Sequence, residues 1–180
     1  MFHSGTRRLI DYWRSLSAQH GSAPIRSDFD PAELGELLPH MFVLSRAAHG
    51  PAFRLAGEAV IDLHGRPLVG ETFAGLWSPG TRGLALRGPQ DAIRNACPVI
   101  IAGEARSDMG EASLEIVVAP LASPQGPIDR LVGLYQPTTT LSRLQGRPVI
   151  ELAARLCASA ALTGIRAAPR LAALDGRRIA

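Results

Sequence analysis

Five histidines, two cysteines, 16 carboxylates and 19 arginines are the side chains of this 180-residue chain that could do chemistry. His3, His20, His40, His49 and His64 never fall at HxxxH or HExxH spacing, so no helical metal site is written here. Cys97 and Cys157 lie far apart and form neither a CxxC pair nor a disulfide framework. Every basic residue is an arginine, which excludes a Schiff-base lysine, a Walker lysine and a Ser-Lys dyad. No GxSxG or GxGxxG motif occurs. Asp28 and Asp30 could be read as an acid pair, but Asp30-Pro31-Ala32-Glu33 reads first as a helix start, with Asp30 at the N-cap and Pro31 behind it. Arg82, Arg87 and Arg94 could grip a carboxylate or phosphate if they face inward, and a solvated helix face if they do not. No catalytic residue and no metal site is expected, and binding is favoured over catalysis.

Charge and composition narrow the field further. The chain is 46% hydrophobic and 19% charged, as a folded domain is. Its net charge of +3 lies wholly in residues 166–180, where Arg166, Arg170, Arg177 and Arg178 face only Asp175. The remaining body is neutral, which argues against nucleic-acid binding, and the basic stretch is expected to be a flexible tail. The longest stretch without a charged residue, 116–128, is too short to span a bilayer and is broken by proline. With no apolar leader at the N-terminus, a cytoplasmic protein is expected.

The elements that must position any site follow from periodicity. Residues 6–20 read as an amphipathic helix with Leu9, Trp13 and Leu16 on one stripe. A short helix follows Asp30 and ends before Pro39. Residues 41–47 and 52–56 read as a hairpin around Ala48-His49-Gly50-Pro51. Glu58 to His64 is a short helix stopped by Gly65, and Gly70, Gly75 and Gly80 punctuate the turns after it. A helix within 81–97 is interrupted by Gly88-Pro89. Strands follow at 98–106, 112–121 and 129–136. Val149, Leu152, Leu156 and Ala160 then recur at helical spacing, so a final helix is expected from Pro148 to about residue 162, with Cys157 beside its apolar face. The expected fold is α+β: a five-stranded antiparallel sheet with short helices on one face, plus flanking N- and C-terminal helices. The boundaries are a flanking helix at 1–25, the central domain at 26–140, the C-terminal helix at 141–165 and the tail at 166–180.

The run FRLAGEAVIDLHGRPLVGETFAGLW, Phe53 to Trp77, resembles a PAS (Per-Arnt-Sim) domain, with Gly57, Gly65 and Gly70 in the places of that family's glycines. The segments DFDP-x-x-L and LPHMFVLSR make it similar to small stand-alone alphaproteobacterial PAS proteins grouped as a domain of unknown function. The resemblance covers about residues 5–140 and is carried by structural motifs, so it speaks to fold more than to activity. It implies a bacterial regulatory protein in signal transduction, acting through protein–protein contacts with a partner in trans. A small-molecule sensor is the alternative, and an enzyme on the same scaffold a second one.

Within the resemblance, Phe53, Phe73, Trp77, Ile101, Ile116 and Tyr135 are the candidates to line an interior ligand space; the plain alternative is a filled core. Flavin is disfavoured, because neither Cys97 nor Cys157 falls in the helical motif of the light-sensing type. Haem is disfavoured because residues 81–97 hold no histidine, which leaves His64 as a faint candidate. A small organic ligand stays open. A homodimer is expected, with Leu9, Trp13 and Leu16 as interface candidates.

Overall fold

Strand β4 (Glu111–Ala122) is apolar at nearly every position, and a strand of that kind needs cover on both faces. The computed structural model, which describes residues 2–124 and 126–160, supplies it. Leu114, Ile116 and Val118 enter one core, and Val117, Ala119 and Leu121 enter a second core on the opposite face. β4 lies near the middle of a six-stranded sheet in the order β2-β1-β5-β4-β3-β6, with every neighbouring pair antiparallel. The other strands are β1 (Met41–Ala47), β2 (Gly50–Ala56), β3 (Val99–Arg106), β5 (Ile128–Pro137) and β6 (Glu151–Ser159).

The inner face carries α2 (Glu58–His64), a 3₁₀ turn at Phe73–Leu76 and α3 (Arg82–Asn95). The outer face carries α1 (Ser4–His20) and the 3₁₀ stretch Pro31–His40. Asp30 caps that stretch as its sequence demands, accepting from the Ala32 N–H at 2.9 Å. α1 is capped by the His3 ring, which accepts from Gly5 N–H. The α1 stripe is spent within its own chain. Leu9 and Ile10 are fully buried, and the Trp13 indole N–H donates to the Pro120 carbonyl at 2.7 Å. Glu115, on the outer face of β4, holds the helix start. Its carboxylate accepts the Thr6 hydroxyl at 2.6 Å and the His3 N–H at 3.2 Å.

Two elements differ from the sequence expectation. α3 is one continuous helix through Gly88-Pro89. Gly88 is needed where it stands, because a Cβ there would lie 2.5 Å from Ile101 Cδ1 on β3. The larger correction concerns the C-terminus. The expected helix from Pro148 is instead β6, which makes six strands where five were expected. The open edge of β3 offers a full row of backbone partners, and pairing with it outweighs the helical preference of an Ala/Leu-rich segment. The register shifts at Ala102/Gly103, so that Arg155 is an extra residue in β6. Gly103 admits this bulge; a Cβ on it would lie 2.3 Å from the Ala153 carbonyl oxygen. The bulge resets the alternation, leaving Leu152 and Ala154 buried, Leu156 exposed and Cys157 packed against the inner core. Arg155 donates to Glu104 at 2.7 Å and holds that carboxyl below its ordinary value. Residues 161–165 of the expected helix and the tail at 166–180 lie outside the described residues.

Candidate functional site

All six candidate lining residues meet in the inner core. Phe53, Phe73, Trp77, Ile101, Ile116 and Tyr135 are each at most 2% exposed and belong to one cluster. Alternation on β3, β4 and β5 aims Ile101, Ile116 and Tyr135 the same way, while β2 and the Phe73–Leu76 turn bring the other three over them. The rings touch in a chain: Phe53 to Phe42 at 5.4 Å, Phe42 to Tyr135 at 5.5 Å, Phe53 to Phe73 at 6.2 Å and Phe73 to Trp77 at 5.6 Å. Phe42 lies across Gly133, where a Cβ would come within 2.1 Å of the ring. These six side chains are therefore packed on one another.

Three polar atoms sit in this apolar interior. His64, at the end of α2, is buried rather than at the surface, and its Nε2 lies 3.4 Å from the Tyr135 hydroxyl. Burial, helped by the Arg66 charge and opposed by a backbone hydrogen bond to Val149, lowers the His64 pKa to about 4. Burial also pushes the Tyr135 phenol well above its ordinary value. The pair is thus uncharged near neutrality. The third atom, Trp77 Nε1, is buried and has no hydrogen-bond partner. A buried donor left without an acceptor costs about 1–3 kcal/mol.

Next to this core is a cavity of about 420 Å³ between the β1–β2 hairpin, α3 and the start of β5. None of the six candidates lines it. Its apolar wall includes Leu44, Pro51, Pro89, Ile93, Ile128 and Leu131; its polar residues are Ser45, Arg46, Gln90, Asp129 and Arg130. Leu44 and Leu131 also belong to the inner core, so the cavity floor is the edge of the aromatic cluster. The Asp129 Oδ2 takes Arg26 at 2.9 Å and Arg130 at 3.3 Å, whereas its Oδ1 is buried without a partner. Sequence reasoning missed this site. The β5 alternation was no guide to it, because the register shifts at Leu121/Ala122 and leaves Asp129 as an extra residue in β5.

Other expectations resolve as follows. Leu9 and Trp13 are buried against their own sheet, and Leu16 packs at the margin of the same cluster. They therefore do not form an exposed interface on this chain. Arg82 reaches the Trp77 carbonyl at 3.3 Å and Arg94 pairs with Asp91 on the surface. Cys97 lies 3.1 Å from the Ser159 hydroxyl, and burial raises the Cys157 thiol pKa. Among the described residues there is no cluster of metal-ligating side chains, and no helix is long and apolar enough to cross a membrane.

A six-stranded antiparallel sheet with short helices on its inner face now stands beside a sequence match. The family model described as PAS domain matches residues 1–136. The chain belongs to the PAS domain family. Among solved structures, it resembles the dark-state LOV domain of the blue-light photoreceptor Aureochrome1. That match has 18% identity and a TM-score of 0.51, over 62% of this chain and 85% of that one. It also resembles a light-oxygen-voltage domain studied with a flavin analogue, at 13% identity and a TM-score of 0.50, over 63% of this chain and 87% of that one. At these identities the likeness is one of fold. No curated protein matches the chain.

These neighbours correct the expectation that flavin is disfavoured. That expectation rested on a missing cysteine, which bears on what a bound flavin does rather than on whether the fold holds one. The aromatic core leaves such a group no open place, since its rings are packed on one another, and the cavity beside it is lined by no aromatic residue.

Proposed function

We propose that this PAS domain is a signal-sensing regulatory module that binds a small organic ligand on the inner face of its sheet. One observation carries the reading: the cavity of about 420 Å³ whose floor, Leu44 and Leu131, is continuous with the aromatic core. Its size falls within the range of about 300–1,000 Å³ usual for small-molecule sites, and its apolar wall with a few convergent polar groups is their usual chemistry. An occupant resting on Leu44 and Leu131 would bear on α3 and on β5. β4, the neighbour of β5, holds the α1 start through Glu115. Ligand state would thereby reach the outer helix through side chains already in contact.

A flavin is the occupant suggested by the light-oxygen-voltage neighbours, and it would have to sit in this cavity, because Trp77 and the phenylalanines are packed in the core and do not line it. When bound, that group supplies absorption of blue light. Native mass spectrometry of the purified full chain, with its near-ultraviolet and visible absorbance, tests the proposal. A non-covalent small mass retained by the folded protein is expected. A chain that stays free of ligand after exposure to cell extract and to added flavin contradicts it.

A further inference from the structure

What an occupant of the cavity between the hairpin and α3 can touch decides its chemistry. Most of the polar side chains are already engaged. The Asp129 Oδ2 holds Arg26 at 2.9 Å and Arg130 at 3.3 Å, and its Oδ1 is shut off by burial. Arg130 also donates to the Asp129 carbonyl at 2.8 Å. Ser45 follows the buried Leu44 on β1 and sends its side chain to the opposite face of the strand. Arg46 and Gln90 are exposed at the mouth and keep their hydration. The walls left open to a ligand are aliphatic: Ile93 on α3, Ala48 and Pro51 at the hairpin turn, and Ile128. Ile93 is 44% exposed, and among the described residues it is the one large exposed apolar side chain that lines this cavity. A charged group moved out of water would meet no free partner there, which costs free energy. An alkyl chain leaves water at a gain.

Resting on the ligand-sensing reading above, we propose that this cavity takes an aliphatic molecule recognised through its alkyl chain, with no charged group of the ligand held by the protein. The alkyl chain lies between Ile93 and the hairpin turn, and the polar end stays in water at the mouth.

Probes that share an alkyl chain and differ in head separate the two contributions: 1-octanol, octan-2-one, octanoate and octylamine, with 1-hexanol as the shorter chain and riboflavin as a flat polar ring. Binding to the full-length protein is measured by titration calorimetry and ligand-observed NMR. 1-Octanol and octan-2-one are expected to bind within about threefold of each other, and octanoate and octylamine no tighter than either. 1-Hexanol, two methylenes shorter, is expected to bind about tenfold weaker. Ile93→Ala keeps the helix and is expected to weaken 1-octanol about tenfold. An ion or riboflavin that outbinds 1-octanol, 1-hexanol equal to 1-octanol, or 1-octanol indifferent to Ile93→Ala each overturn the ligand class. Where binding of any probe is lost in Ile93→Trp, the cavity reading survives and only the class falls. If no probe binds, or if binding is untouched by Ile93→Trp, the cavity reading falls and takes the class with it.

Discussion

Glu115 sits in the middle of a strand whose neighbours on both sides are apolar, and the structure gives it one task. Its carboxylate receives the Thr6 hydroxyl and the His3 N–H at the start of α1. Replacing it by alanine removes both acceptors. Water can reach His3, which is exposed, but not Thr6, which is fully buried. The Thr6 hydroxyl is then left unsatisfied, at about 1–3 kcal/mol. The negative charge at the helix N-terminus adds about 0.3–1 kcal/mol. Glu115→Ala should therefore lose about 2–3 kcal/mol in urea denaturation. Glu115→Gln keeps an acceptor for Thr6 and should lose about 1 kcal/mol. The two losses should be concentrated in α1, seen as faster amide hydrogen exchange over residues 4–20. In a double-mutant cycle with Thr6→Val, the coupling should be about 1 kcal/mol or more. A Glu115→Ala protein within about 0.5 kcal/mol of wild type, with α1 exchange unchanged, would refute the argument.

Three other outcomes follow from named contacts. The folded His64 pKa of about 4 lies below the ordinary 6.5, so the unfolded chain binds the proton more readily; the stability this histidine contributes is complete above pH 6.5 and is lost as pH falls towards 4. The loss is roughly 3 kcal/mol, and denaturation midpoints across that window should flatten in His64→Phe. Trp13→Asp should unfold the chain rather than yield a folded monomer, because Trp13 is buried on its own sheet; circular dichroism and light scattering distinguish the two. Leu152→Lys should cost about 3 kcal/mol or more while Leu156→Lys stays within about 0.5 kcal/mol, since only Leu152 is buried; equal costs in thermal denaturation would contradict the bulged β6.

The central strands, α1, α2 and the Asp30 cap were legible because each follows from neighbours in sequence: alternation, a helical stripe, a capping residue. The six aromatic and aliphatic candidates came from the resemblance to a PAS domain as lining of a ligand space; the structure packs them into one core cluster, and none of them lines the cavity. β6 was not legible. Val149, Leu152, Leu156 and Ala160 keep helical spacing, and the decision for a strand comes from the edge of β3, which lies far away in sequence. The bulge at Arg155 then hides the strand period that would have given it away. α3 was read as interrupted because Gly88 and Pro89 break helices on average, whereas here the notch at Gly88 lets the helix lie on Ile101. The cavity was missed since its walls come from the hairpin, α3 and β5, three segments no local pattern joins. His64 was read as a helix-end residue, and its burial depends on Tyr135 and Val149 from two other segments.

The account stands on a ligand held between the hairpin and α3. Ile93 lines that cavity from α3 and is 44% exposed, so Ile93→Trp fills the space without burying anything new in the core. Native mass spectrometry of wild type and Ile93→Trp, purified side by side, is the direct measurement. A small mass bound to wild type and absent from a variant with an unchanged circular dichroism spectrum is the result the account predicts. The same mass on both proteins, or on neither, would contradict it.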